Sequence, residues 1–580
     1  MHAQLACQPS ISVTLGRIPD SCSYASLPSF PFVISSSDVH FAEALLIVIV
    51  GFLFWLLAMT MPSLQTAQNF DLVVYGGTSS GVITAVSAAR EGANVALLVP
   101  GMHLGGMVSG GLGATDYGKK EVVGGMSLEF FERVGRHYHE PVSWTFEPHV
   151  AEQVFKEMVR DAGVTVLYAH RLLEKGAVRK AGTDILGISL ENGSVFHGKI
   201  FADCSYEGDL MSQAGVSYTW GREAVSTYGE SLAGVRPRDA GHAFEVAISA
   251  HDSEGRLLPE IGSEPRGELG SADKKVQAYN FRLCLSSEPK NQMPFLKPPA
   301  YDPSRFALLS RLIQVLTQKE GHPPSMKQLM HISPVPNNKT DINNSGAFST
   351  DYIGKSWDYP ESDYRRREEL WQDHANYVAS FFYFLANDSQ VPQELREEVN
   401  RWGLAKDEFV DTNHWPHQLY IREARRMIGT YVMTQKDIQT AITKPDAIGM
   451  GSYNSDSHNV QRYVTEDGMV QNEGNMEVPV APYQIPYRIL LPRRTEVSNL
   501  MVPVCLSASH VAYSTLRMEP VYMVIGQAAG VAAAMTIKGK IPIHDINTQT
   551  LAAKLKSQRA ILEWPPQRSR PAAPRKDPLH

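Results

Sequence analysis

Four polar residues have the types and places for acid–base chemistry: Arg422, His510, Arg517 and Glu519. His510 lies four residues beyond Asn499–Leu506, NLMVPVCL, which reads as an apolar strand, and ahead of a small-residue helix, Val521–Ile537. Ligands in α/β folds gather at strand ends. An imidazole there can take a proton from a substrate hydroxyl near neutral pH while hydride leaves the adjacent carbon. Arg517 and Glu519 fall just before the helix, where they could position His510 or the substrate, and Glu519 is a second candidate base. The competing reading of His510 is a residue that only holds the loop SASHVAY together. Arg422 belongs to LYIREARRMIGTYVMTQKDI, residues 419–438. On a helix, Arg422 and Arg426 share a face and could clamp an anionic or polyhydroxyl ligand. A salt-bridged surface face is the plainer alternative, because Glu423 sits beside them. His414, His417 and His458 follow no metal-ligand spacing, and no metal is expected.

Those residues need a scaffold, and the scaffold begins at Asn69–Gly81, NFDLVVYGGTSSG. Leu72–Tyr75 is an apolar strand of the doubly buried kind. Gly76, Gly77 and Gly81 make a sharp turn, and Val82, Ile83, Ala85, Val86 and Ala89 then recur at helical spacing. With a second strand, Asn94–Val99, this is a βαβ unit that places a dinucleotide pyrophosphate on a helix N-terminus. Two positions depart from the glycine fingerprint. Thr78 occupies the middle glycine, and the acid expected about 20 residues further on is Val99. Against an ordinary glycine-rich turn stands the next stretch, His103–Gly113, HLGGMVSGGLG. Sheet packing does not require so many glycines there, whereas a second close approach of backbone to ligand does.

At 580 residues the chain is too long for one core. A hydrophobic fraction of 43% and a charged fraction of 20% are those of a globular protein. The net charge of -7 argues against a nucleic-acid surface. Residues 1–68 are foreign to this composition: a Ser- and Pro-rich start reads as disordered, followed by the apolar run Ala44–Met59. That run has 16 residues, long for a signal-peptide core and short for a membrane span. Export or an N-terminal membrane anchor is the expectation; a start at Met59 or Met61 would instead leave a cytosolic protein. Cys204, Cys284 and Cys505 in the main body make neither a metal signature nor a disulfide framework.

Further along, helices are expected at 127–137 and 151–161, the latter stopped by Gly163, with a strand at 163–168. Strand-like pieces follow at 174–179, 185–190, 194–198 and 199–203, the last ending on Asp203. Asp203 either faces a cofactor or caps a loop. The resulting fold class is α/β: a Rossmann-like dinucleotide-binding domain with a β-meander, interrupted by an inserted substrate or cap domain. Its parts are a leader (1–68), the first half of the binding domain (69–214), the insertion (215–477), the second half (478–545) and a C-terminal helix with a loose tail (546–580). Gly526, Ala529, Gly530 and Ala533 should let the final helix pack very closely.

Together, YGGTSSG (75–81), HLGGMVSGGLG (103–113), FEPHVAEQVF (146–155), ADCSYEGDLMSQAGVSYTWGRE (202–223), YNFRLCL (279–285), REARRMIGTYVMTQKDI (422–438) and IPYR to GQAAGVAAA (485–534) resemble one family. It is the FAD-dependent oxidoreductase family of glutathione-reductase/fumarate-reductase-like flavoproteins, in the bacterial branch sometimes labelled "xanthan lyase". The resemblance implies FAD bound by Gly76, Gly77, Thr78, Ser79, Ser80 and Gly81, by Val99, by Leu104, Gly105, Gly106 and Met107, by Leu172, Asp203 and Cys204, and by Leu516 and Met518. It implies an enzyme that moves a hydride between a small organic substrate and the flavin, sugar-derived if the chain is exported, with an unspecified electron acceptor. The alternatives are a non-catalytic flavin-fold binding protein and, last, a carbohydrate lyase, for which no elimination apparatus is visible.

Overall fold

The computed structural model describes residues 68–239 and 241–564. The leader, its apolar run Ala44–Met59 and the tail beyond Trp564 lie outside the described residues. β1 (Gln68–Tyr75), α1 (Ser79–Arg90) and β2 (Val95–Leu98) form the expected βαβ unit, with β1 and β2 parallel and Leu72 opposite Val95. The buried half of β1 is an unbroken apolar run because both faces are covered.

α2 (Gly125–His137) and α3 (Pro148–Ala162) follow. Gly163 ends α3 in the left-handed region, φ 70°, as its place after the last helical residue predicts. β3 (Thr165–Leu167) joins β2 in parallel, β4 (Val178–Ala181) and β5 (Asp184–Ser189) form the meander, and β6 (Val195–Asp203) returns beside β1. β6 is one strand of nine residues, where the sequence suggests two pieces broken at Gly198. Glycine sits mid-strand because a Cβ there would lie 3.0 Å from Val73 Cγ2. The outer edge of β6 is shared: β5 pairs antiparallel with its start and β7 (Leu500–Met501) parallel with its end. The sheet order is β3-β2-β1-β6-β5-β4, with β7 also on β6.

Between β6 and β7 lie a five-stranded antiparallel sheet, drawn from residues 284–405, and the long helix α4 (Tyr364–Asn387). Residues 419–438 are not the helix their composition suggests. Only Arg426–Met427 is strand and only Gln435–Gln439 is helix. Tertiary partners override helix propensity here, since each arginine of the segment is drawn to a carboxylate on a different element.

The chain re-enters the first sheet through β7, shorter than the eight-residue apolar run around it. It continues through α5 (His510–Leu516) and α6 (Glu519–Gly539). α6 is long and apolar enough to cross a membrane by composition, but 89% of its apolar window is buried against the protein. The small residues act as expected. A Cβ on Gly526 would lie 2.6 Å from the Ser80 carbonyl oxygen, and one on Gly530 would lie 1.9 Å from Ser87 Oγ. α6 thus lies directly on α1, and the start of one helix comes beside the start of the other.

Candidate active site

At the end of β1 the chain turns through Gly76, whose φ of 109° favours glycine. A Cβ at Gly76 would sit 2.6 Å from the Cys204 carbonyl carbon, and one at Gly81 would sit 1.9 Å from the Gly76 oxygen. Thr78, in place of the middle glycine, is the helix cap. Its Oγ1 accepts from the Gly81 amide at 3.1 Å and donates to the Cys204 carbonyl at 2.8 Å. The neighbouring first-turn amides have no partner within the helix, which suits an anion. The turn opens on a cleft of about 200 Å³ lined by Gly76, Gly77, Thr78, Val99, Gly106 and His417, among others.

The glycine stretch forms the second wall. Gly105, at φ 103°, donates its amide to the Gly77 carbonyl at 2.7 Å, and a Cβ on it would meet Phe155. Leu104 is fully buried behind it, and the Met107 amide donates to Tyr206 Oη at 2.9 Å. This double backbone approach, with no room for side chains, fits the pyrophosphate of FAD.

Other residues that the resemblance nominates behave differently. Asp203 is fully buried and accepts from the Ser205 and Met211 amides, so it is occupied as a loop and helix cap. Burial lifts its carboxyl to about 6. Cys204 is buried under the turn, with burial raising its thiol far above the usual range. Leu172 packs in the apolar cluster with Tyr75 and Leu98, on the other side of the sheet, and its amide faces Tyr75 Oη at 3.3 Å. Ser80 is buried with an unpartnered Oγ.

The segment into α6 ties this cleft to a second site. Leu516 and Met518 are buried, and Met518 precedes the helix. Glu519 is the first helical residue, and it accepts hydrogen bonds from Ser79 Oγ and, at 2.7 Å, from Tyr206 Oη. Burial raises its carboxyl to about 7. Two residues earlier, Arg517 reaches away from the cleft to Asp456, at 3.1 Å.

Arg517 belongs to a buried charged cluster that local spacing could not reveal. Arg422 pairs with Asp351 at 3.1 Å, and Arg282 grips Asp341 through two bonds of 2.7 Å. The Tyr420 ring lies between them, 4.8 Å from the Arg422 guanidinium and 5.2 Å from that of Arg282. His458 Nδ1 donates to the Asp351 carboxylate at 2.8 Å, with Nε2 3.7 Å from Asp456. The Nε atoms of Arg422 and Arg517 are buried without partners. Burial, then Asp456, holds the Asp116 carboxyl above its ordinary range, while His458 and Arg517 hold Asp456 well below it. The glycine stretch runs straight to this cluster. A Cβ on Gly111 would strike the Arg282 carbonyl oxygen at 1.9 Å, and the Ala114 amide donates to Asp341.

His510 sits elsewhere. It opens α5 rather than lying in a loop, and its Nδ1 meets Glu223 at 2.6 Å, with the Glu223 carboxylate also paired to Arg426 at 2.8 Å. Among the described contacts, none joins His510 to Arg517 or Glu519. Glu147, His149 and Glu408 approach one another at metal-ligand distances. Their charge is already met by the Lys339 ammonium, 2.6 Å from Glu147 and 2.7 Å from Glu408.

The sequence matches the FAD dependent oxidoreductase family over residues 71–555. No curated protein matches the chain. Among solved structures, the THI4 protein of Thermovibrio ammonificans is 20% identical with a TM-score of 0.22, over 33% of this chain and 75% of its own. Thioredoxin reductase of T. acidophilum is 16% identical with a TM-score of 0.16, over 23% of this chain and 35% of its own. A flavin-containing monooxygenase from Stenotrophomonas maltophilia is 15% identical with a TM-score of 0.18, over 28% of this chain and 44% of its own. The chain spans less than half the length of the latter two, and the family match alone carries the assignment. This chain belongs to the FAD-dependent oxidoreductase family and is an oxidoreductase that uses FAD.

Proposed function

We propose that this oxidoreductase exchanges a hydride with a small, hydroxyl-bearing organic substrate of carbohydrate type, held in the cluster around Arg422, His458 and Arg517. FAD, when bound, supplies the two-electron acceptor. The observation that carries the reading is the pair of unpartnered Nε atoms on buried Arg422 and Arg517. Burying so many charges costs stability unless every one is met, and an unmet donor in such a place calls for a ligand.

The ligand's class follows from the pairing. Arg282, Arg422 and Arg517 each face a carboxylate of their own, so the cluster offers donors and acceptors without surplus positive charge. That balance suits a neutral polyol better than a dicarboxylate. His458 is the proton acceptor in this reading. Its Nδ1 is engaged by Asp351, which leaves Nε2 to take the proton of a substrate hydroxyl, 3.7 Å from Asp456. The test is anaerobic bleaching of the bound flavin by a panel of neutral sugars and polyols set against carboxylic acids. Bleaching by the neutral set supports the proposal; bleaching by carboxylates alone overturns the substrate class.

A further inference from the structure

Of the residues lining the dinucleotide cleft, His417 has the least expected surroundings. It comes from the 406–418 loop region, far along the chain from the glycine turn, yet lines the same cleft as Gly76, Val99 and Gly101. Its ring stacks on His103, with centroids 3.9 Å apart and planes 10° from parallel. Its Nε2 lies 3.4 Å from Ser109 Oγ, and its Nδ1 is buried without a partner.

The tautomer can be worked out from these contacts. Ser109 has one hydroxyl proton, and it goes to the Leu104 carbonyl at 2.6 Å. Toward His417 the Ser109 oxygen can therefore only accept, so Nε2 carries the proton and Nδ1 is a bare lone pair. Burial, with His103 adding to it, lowers the His417 ring to about 3, so the ring stays neutral throughout the working range. A neutral buried acceptor without a donor calls for a ligand that brings one. The same cleft lacks an acceptor where dinucleotide folds supply one. The residue directly after β2, where an acid would hold a ribose hydroxyl, is Val99, which is buried and apolar.

We infer that His417 is a cofactor-binding residue whose Nδ1 accepts a hydrogen bond from a hydroxyl of the FAD adenosine ribose, the contact that Val99 cannot make. The inference concerns FAD binding and is independent of the substrate proposed above. Ser109 is then a positioning residue that sets the tautomer.

The test uses the full-length protein reconstituted with FAD, or with FAD analogues lacking the 2′- or the 3′-hydroxyl of the adenosine ribose. Flavin release on dilution is followed by its fluorescence. For the wild type, one deoxy analogue should leave about fivefold faster than FAD, the worth of one neutral hydrogen bond. His417→Phe should release FAD and that analogue at the same rate, and His417→Asn should restore part of the difference. Ser109→Ala frees the tautomer and should shrink the difference without removing the imidazole, which serves if His417→Phe fails to fold. Equal release of all three flavins from the wild type overturns the inference, as does a difference that survives in His417→Phe or is undiminished in Ser109→Ala.

Discussion

Ser79 Oγ donates to the carboxylate of Glu519 across 440 positions of sequence, joining the first turn of α1 to the first turn of α6. Two helix starts, each with partial positive charge, face one carboxyl group, and Tyr206 Oη donates to its other oxygen. Burial nevertheless wins, and the carboxyl rises from 4.5 to about 7.

A pH dependence of stability follows from that carboxyl. Between those two values the native protein holds a proton that the unfolded chain has released. The associated stability is complete below about pH 4.5 and is lost as the pH rises through about 7. Glu519→Gln, which never ionises, should remove up to about 3 kcal/mol of this loss. Urea unfolding of wild type and variant from pH 4.5 to 8 measures it, and parallel curves would count against a titrating Glu519.

The glycine turn gives a sharper prediction. Gly81→Val drives a side chain into the Gly76 carbonyl, 1.9 Å from the position of its Cβ, and no flexible group stands there to yield. FAD occupancy should fall below a tenth of wild type, with stability down by about 3 kcal/mol or more. Gly163→Ala is the matched control. Its φ is 70°, with nothing within 4 Å of the new Cβ, so it should cost about 1 kcal/mol and leave occupancy unchanged. A Gly81→Val protein that purifies with full yellow absorbance would show that the turn tolerates widening.

What the sequence made legible is local. The β1 turn, the stop at Gly163 and the close-packed face of α6 are written in neighbouring residues, and each stands where expected. Thr78 makes sense only in the folded chain, because its role as cap depends on both Gly81 and Cys204. The charged cluster draws on Asp116, Arg282, Asp341, Asp351, Arg422, Asp456, His458 and Arg517, for which no single spacing exists. One signal was available within it. Asp456 and His458 are two apart at the end of a short strand, Ser455–Ser457, and alternation puts such residues on one face. Arg422 is visible in the sequence, but helix propensity hides the non-helical backbone that lets it and Arg426 pair with different carboxylates.

The apolar run Ala44–Met59 bears on where the protein works. If it directs export or anchoring, removing residues 1–61 should leave a soluble protein with wild-type FAD content, since the family match begins at residue 71. Fractionation of cells expressing both forms, with flavin absorbance per protein, is the check. A full-length chain found free in the cytosol would end the export reading, and a shortened chain without flavin would show that the leader is needed for folding.

Two histidines, His458 and His510, each have a carboxylate at hydrogen-bond distance and differ in what else surrounds them. His458 has a carboxylate near each ring nitrogen, Asp351 and Asp456, whereas His510 is closed in by Glu223 and Arg426. A general base is worth about 10²–10⁴ in rate. His458→Gln should slow flavin reduction by such a factor while FAD content stays at wild-type level. His510→Gln should leave the reduction rate within about threefold but lower stability by about 1–3 kcal/mol, because the buried Glu223 carboxylate keeps the residue 510 amide and Arg426 but loses the imidazole. Stopped-flow reduction of both variants, beside thermal unfolding, distinguishes the roles. A large rate loss in His510→Gln with flavin retained and stability unchanged would move the base to His510, and normal kinetics in His458→Gln would remove His458 from proton transfer.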